Sequence, residues 1–277
     1  MTTVQKYYDR CYFDYKMFWR IEKNLGIHYG FYDKNYPWGW GPHDKAVLRM
    51  NEVLASKAGI TSADRVLDAG CGIGGSSIWL AKNIGCKVTG IDLNSNQIAR
   101  AKKFAQDTEK FQVMNFEETS FPDGSFDVVW LLESSCYAQD KLALLKEAKR
   151  LLCQGGRLAV ADGFLMDELS ESEKQAVWTW VNGWAAPNLT TVSEFKGYLK
   201  EAGFRNISLD DITDNVMPSS RRMYWAAVIN YPLGKLLEIL RVRTKVQTAN
   251  IKSAIYQYRT LCRGLWKYGI FTAEKEA

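Results

Sequence analysis

Histidine is almost missing from this chain: His28 and His43 are the two copies in 277 residues. Neither has cysteine or carboxylate neighbours at the spacing of a zinc site, so no metal is expected. The six cysteines, at positions 11, 71, 86, 136, 153 and 262, form no CxxC pair, which points to reduced thiols in a cytoplasmic protein. Long apolar runs are missing too, none approaching the roughly 20 residues of a membrane-spanning helix. The first residues lack the apolar stretch of a secretory signal, and Asp9, Asp14 and Glu22 argue against a transit peptide, so the chain is expected to begin at Met1 as written. No repeat, low-complexity tract or Pro/Gly/Ser-rich linker divides it, and one domain over 1–277 is expected.

What is present is enough apolar sequence, 47% of residues, for one large core with a lid. Apolar segments near 65–69, 86–91, 111–114, 126–132, 156–162, 205–212 and 267–274 predict seven strands. Helices between the early ones predict a doubly wound, mostly parallel α/β sheet. The run Phe126–Leu132 has no polar alternation, as in a parallel strand buried on both faces. A helix over 142–152 is expected to end on Gln154, Gly155 and Gly156 as a glycine C-cap. Residues 1–60 form an aromatic arm, with Tyr7, Tyr8, Tyr12, Phe13, Tyr15, Phe18 and Trp19 crowded together and 37–42 too rich in turn formers for a regular element. That arm reads either as a satellite cluster or as a flap over a bound cation. Helical insertions are expected at 163–200, holding Trp178, Trp180 and Trp184, and at 217–264, both above the carboxyl ends of the strands as a lid.

The chemistry gathers at the strand ends. The first strand passes through Asp68 into the turn Gly70-Cys71-Gly72-Ile73-Gly74-Gly75. Its glycines also fit a dinucleotide turn, which brings backbone close to a pyrophosphate. A carboxylate two residues before the first glycine would repel that group, and suits instead the ammonium of S-adenosylmethionine. Asp92, about twenty residues beyond the glycines, ends the second strand where a carboxylate can accept hydrogen bonds from both ribose hydroxyls. Asn115, after the third strand, can read an adenine amino group, with Phe116 against the purine face. Cys71, Leu93, Gln97 and Leu132 complete the expected cofactor-binding set. Alone, Asp92 would read as a solvated strand-end acid, and Asn115 and Phe116 as a turn residue and a core aromatic.

The segments VLDAGCGIGG (66–75), VTGIDL (88–93), FPDGSFDVVW (121–130), LLESSCYAQDK (131–141) and CQGGRLAVAD (153–162) resemble those of class I S-adenosylmethionine-dependent methyltransferases. More narrowly, YYD (7–9), HYGFY (28–32), GCGIGGSS (70–77), ESSCYAQDK (133–141) and YGIF (268–271) followed by EK resemble the tocopherol and sterol C-methyltransferase group. Geranyl diphosphate C-methyltransferases are similar in carrying an acid after the fourth strand. The resemblance covers nearly the whole chain and implies a Rossmann-like class I fold, S-adenosylmethionine as cofactor, and a small hydrophobic acceptor. Carbon methylation of a prenyl, sterol or phenolic compound is expected ahead of O- or N-methylation, since relatives of the tocopherol enzymes methylate either heteroatom. A nicotinamide-dependent oxidoreductase, which Asp68 disfavours, and a non-catalytic cofactor binder are the competing classes.

Glu133, directly after the fourth strand, is the expected general base, its pKa raised by apolar surroundings; the alternative is a buried acid held by backbone amides. His28 is a rival base, although a lone histidine in an aromatic turn is more often structural. Tyr29, Cys136, Tyr137 and Trp180 are expected near the acceptor. Arg221, Arg222 and Tyr224 form a compact set for an anionic group on it, such as a diphosphate. The net charge of +5 concentrates at 235–267, with eight basic residues against Glu238. Such a stretch reads as a solvated helix face, an anion site or a surface resting on lipid. Nucleic acid is not an expected partner: no binding module is present, nor the Asn/Asp-Pro-Pro-aromatic signature of base methyltransferases.

Overall fold

Arg65–Ala69 (β1), Lys87–Asp92 (β2), Glu109–Val113 (β3), Phe126–Leu132 (β4), Leu152–Leu165 (β5), Arg205–Asp211 (β6) and Trp266–Glu274 (β7) form one sheet in the order β3-β2-β1-β4-β5-β7-β6. The computed structural model describes residues 2–18, 21, 25–33, 43–106 and 109–276; Trp19, Glu22 and residues 37–42 of the arm lie outside them. Strands β1 to β5 are parallel, and β7 runs antiparallel between β5 and β6. The centre of β4 explains its unbroken apolar run. Val128, Val129, Trp130 and Leu131 are fully buried between two helical layers, each such side chain contributing about 1.5–3 kcal/mol.

Helices His43–Lys57 (α2), Gly75–Ile84 (α3), Ser95–Phe104 (α4) and Lys141–Leu151 (α5) cover the sheet. Their starts are fixed locally. The Asn94 side chain accepts the Asn96 and Gln97 amides at the head of α4, and Asp140 accepts those of Leu142 and Ala143 at the head of α5, caps that stabilise by about 1 kcal/mol each. Gly74 enters α3 with φ 87°, and a Cβ there would lie 2.7 Å from Phe111.

Two sequence expectations are corrected here. The helix does not end on a glycine cap: α5 stops at Leu151, and Leu152 is already extended and buried as the first residue of β5. Gly155, at φ 70°, instead serves an excursion within β5, where Phe126 pairs with Leu152 and Val128 with Arg157. The segment 163–200 is not all lid. It contains Glu171–Gly183 (α6) and Val192–Glu201 (α7), and α7 buries Phe195 and Leu199 in the core beside α5 as an ordinary crossover helix.

The remaining cover is α6 with Thr213–Ile239 (α8) and Lys245–Cys262 (α9). Helix α9 packs against both α8 and α6, and Thr3–Phe18 (α1) lies on α9. Among the described residues no helix is long and apolar enough to cross a membrane. No group of three or more His, Cys, Asp or Glu among them is placed to hold a metal, and all six cysteines are free.

Candidate active site

The strand order reverses between β1 and β4, which opens a crevice at the carboxyl ends of both. A groove of about 780 Å³ occupies it. Asp68, Gly70, Cys71, Gly72, Asp92, Leu93, Gln97, Asn115, Phe116 and Leu132 all line it, so the residues singled out from spacing are together in space. The Asp68 carboxylate is buried and accepts the Ser77 hydroxyl at 2.6 Å. Burial raises its pKa to about 7, with the Asp92 charge adding and the Ser77 hydrogen bond opposing. Asp92 accepts the Gly72 amide at 3.1 Å on one oxygen and the Asn94 amide at 2.7 Å on the other, leaving lone pairs on both. Its pKa is also raised by burial. Asn115 accepts the Glu117 amide at 3.1 Å.

The glycine turn shapes this groove. Gly70 has φ 92°, and a Cβ there would sit 2.4 Å from Ser134 Cβ, so only a bare backbone passes the end of β4. Gly72 faces open space. Helix α1 walls the other side: Gln5 Nε2 donates to Leu93 O at 2.6 Å, and Asn94 and Asn96 donate to Asp9 at 3.1 and 3.0 Å. Tyr8 of the aromatic arm lines the groove, and so do Gln5 and Ser134, which were missed in the sequence because it carries no local signal tying Gln5 to β2.

A second cavity, about 150 Å³, adjoins the first. Tyr8, Tyr15, Tyr29, Tyr137, Trp180, Trp184, Trp266 and Tyr268 line it, with Met223, Ala226 and Ala227 from α8. Tyr8, Ile27, Glu133, Tyr137 and Ala186 belong to both cavities, so Glu133 stands where they meet. Its backbone is left-handed, φ 50°, a conformation costing a non-glycine residue about 1–2 kcal/mol. Its N–H donates to Ala161 O at 2.8 Å, which fixes the turn. Oε1 accepts both the Tyr29 amide at 2.6 Å and the Tyr268 hydroxyl at 2.8 Å. Burial pushes its pKa up to about 8 against those two hydrogen bonds, and the Asp162 charge adds to the rise. Asp162 accepts from Ser135 and Cys136 N on one oxygen, at 2.7 and 2.9 Å, and from Gly163 N on the other at 2.8 Å.

Four candidates are not where the sequence suggested. His28 lines the groove and not the chamber; Nδ1 lies 3.0 Å from Tyr29 O. Burial lowers its pKa to about 4, too weak for a base at neutral pH. Arg222 is exposed, and Tyr224 packs its ring 4.8 Å from that of Tyr258. Neither lines the chamber, nor does Arg221, because residues adjacent on α8 point about 100° apart and Met223 takes the inward direction. Among the described residues that line the chamber, the acids are Asp14, Glu133 and Asp162, and no Lys, Arg or His is present.

The pattern of a family described as a methyltransferase domain matches residues 67–160. The 2-methyl-6-phytyl-1,4-hydroquinone methyltransferase of Synechocystis sp. is 33% identical over 219 residues, 76% of this chain and 68% of that protein. The chloroplastic tocopherol O-methyltransferase of Arabidopsis thaliana is 30% identical over 276 residues, 90% of this chain and 76% of that one. The chain belongs to the class I S-adenosylmethionine-dependent methyltransferases. Among solved structures, the geranyl diphosphate C-methyltransferase of Streptomyces coelicolor, crystallised with Mg2+, geranyl diphosphate and S-adenosyl-L-homocysteine, has the same fold. It superposes with a TM-score of 0.74 at 20% identity, covering 99% of this chain and 98% of that one.

This methyltransferase therefore uses S-adenosylmethionine, and its groove fits that molecule. Two acceptors, Asp68 and Asp92, flank a backbone that a Cβ would obstruct at Gly70. Ser134 Oγ and His28 Nε2, both buried in groove-lining residues, have no hydrogen-bond partner among the described residues. Tyr268, 135 residues from Glu133, was the site residue least accessible to sequence reasoning: the segment 268–271 carried the resemblance, but nothing in it showed which side chain its hydroxyl meets.

Proposed function

We propose that this methyltransferase acts on a small, hydrophobic, uncharged acceptor held in the aromatic chamber, methylating an electron-rich carbon, with Glu133 as the general base. One observation carries the reading: a carboxylate of raised pKa stands at the junction of groove and chamber, in an aromatic wall that holds no cation among the described residues. When bound, the cofactor supplies a methyl group made electrophilic by its sulfonium. Asp68 takes the ammonium, Asp92 the ribose hydroxyls, and Asn115 with Phe116 the adenine. Tyr29, Tyr137 and Trp180 orient the acceptor and exclude water. Attack by carbon leaves positive charge on the acceptor, which the carboxylates and ring faces of the chamber stabilise; the Glu133 carboxylate then receives the proton lost from that carbon. The relatives named for a phytyl hydroquinone and for tocopherol fit a chamber of this character.

A second reading has its own observation. Because the described lining of the chamber has acids and no Lys, Arg or His, an amine is as compatible with it as a neutral alkene, and a diphosphate is not. The chain is read as one domain over 1–277, with α6, α8 and α9 as lid and α1 as part of the arm, working in the cytoplasm where its free thiols stay reduced.

The test is Glu133→Gln, assayed with isotopically labelled cofactor against a prenylated hydroquinone, a sterol and a hydrophobic amine. Turnover on the carbon acceptor is expected to fall by roughly two to four orders of magnitude, with cofactor affinity nearly unchanged. Near-normal turnover, or equal losses of turnover and cofactor affinity, would reduce Glu133 to a scaffold and shift the reading to oxygen or nitrogen.

A further inference from the structure

Among the described residues thirteen large apolar side chains are exposed, and seven fall in one stretch, running from Trp225 through Ile229, Leu233 and Leu236 to Val242. At about 100° per residue the positions on α8 share one outward face. Ile229 is 73% exposed, and Val242, in the turn to α9, 74%. The opposite face of the same helix carries Met223, Ala226 and Ala227 into the chamber wall. Helix α8 is thus apolar on both sides, a pattern that belongs to a covered helix and not to one at a water surface. Exposed apolar residues scattered singly need no explanation; a contiguous stripe does. Phe13 and Met17 of α1 are exposed as well, and Asp14 beside Phe13 pairs with Arg243 beside Val242, which carries the patch across to the arm.

Charge decides what covers it. From 221 to 245 the chain has six basic residues and one acid, Glu238. Lys235 is paired with Glu238 and Arg243 with Asp14, while Arg222, Arg241 and Lys245 are exposed at the two ends of the stripe. An apolar face with a tryptophan, bordered by cations, is the arrangement of a helix lying in a lipid headgroup layer. A second copy of the chain is the other candidate cover. Arg222 lies about 25 Å along the helix rise from Ile239, the last residue of α8, and Arg241 follows in the turn, so an antiparallel two-fold contact centred on the stripe would set Arg222 of one copy near Arg241 of the other. A parallel contact would oppose Arg222 to Arg222. Either faces like charges, whereas anionic headgroups satisfy both ends at once.

We propose that the outward face of α8 and its turn into α9 dock this enzyme on an anionic lipid surface. The chamber wall then stands one helix diameter, about 10 Å, from the layer in which a hydrophobic acceptor dissolves. Docking goes beyond the proposed function and does not depend on which atom is methylated.

The full-length protein is floated on density gradients with vesicles of phosphatidylcholine alone or enriched in phosphatidylglycerol. Partitioning is expected to be at least about tenfold stronger on the anionic vesicles, as two or three cations near such a surface give. The double variant Ile229→Glu with Leu236→Glu should lose most of it, and Arg241→Glu part of it. Circular dichroism, cofactor affinity and turnover on a water-soluble acceptor should stay unchanged in both, which separates docking from the chemistry of the chamber. A wild-type protein that floats with neither vesicle overturns the proposal. So does a wild-type dimer that the double variant converts to a monomer, since the face would then belong to a second copy.

Discussion

Tyr268 shows how far one hydroxyl can set the working pH of the site. It donates to Glu133 Oε1 and so favours the carboxylate, while burial favours the protonated form and wins, leaving a pKa of about 8. In its proposed role as base Glu133 acts when ionised, so turnover should rise with pH through that value. Tyr268→Phe removes a donor to a charged group and should move the midpoint of the rise upward by about one pH unit; a pH profile of kcat that does not move would remove Tyr268 as a positioning residue. Asp92→Ala should weaken cofactor binding by about 1.5–3 kcal/mol, the range of a charge-assisted hydrogen bond, read by calorimetry. At this scale the sequence was most informative where residues lie next to a strand end. Asp68, Asp92 and Glu133 are set by the strands that precede them, so position along the chain reports position in the crevice. Arg222 and Tyr224 failed because a helix turns adjacent residues away from each other, and no local pattern says which faces the cavity.

At the scale of elements, the link between α1 and the lid has the next consequence. Asp14 and Arg243 are paired, and Arg243 also donates to Gln247 O at 2.8 Å. Both groups are largely buried, so Asp14→Ala would strand a guanidinium at a cost of about 3 kcal/mol. Because α1 also walls the groove through Gln5 and Asp9, loosening its far end should speed cofactor release about tenfold or more. Stopped-flow release of the cofactor and amide exchange over α1 would test this together, and protection of α1 equal to wild type would refute it. Elements themselves were legible because parallel strands buried on both faces are continuous apolar runs, and those runs delimit β1, β2 and β4 to within a residue or so. The roles of the later helices were not. Helices α6 and α7 have similar capping boxes at Ser170 and Thr191, and periodicity does not reveal that one packs on α9 and the other on α5.

For the whole molecule, the groups that build the site also set how stability responds to pH. Glu133 and Asp68 have folded pKa values of about 8 and about 7, both raised, so between their unfolded values and these the folded state holds protons that the unfolded chain has released. Stability must then fall as pH rises across that interval. His28 and His43 act in the opposite sense, since burial lowers them to about 4 and about 3, and stability gains from them as pH rises toward 6.5. That gain fades over about one pH unit above 6.5, and Glu133 and Asp68, with Asp92 and Asp162 also raised by burial, carry the decline until buried thiols and phenols, raised likewise, reinforce the loss at alkaline pH. Urea unfolding of the cofactor-free protein should therefore show stability declining by about 1–2 kcal/mol per pH unit between pH 6.5 and 8. Cofactor binding should oppose the decline, because the ammonium proposed to meet Asp68 would favour the carboxylate, so the stabilisation by saturating cofactor should grow with pH over the same window. Asp68→Asn should flatten that growth while keeping the part of the decline due to Glu133. A cofactor effect independent of pH in wild type would mean that Asp68 does not meet the ammonium, and would require the placement of the methionine end in the groove to be reversed.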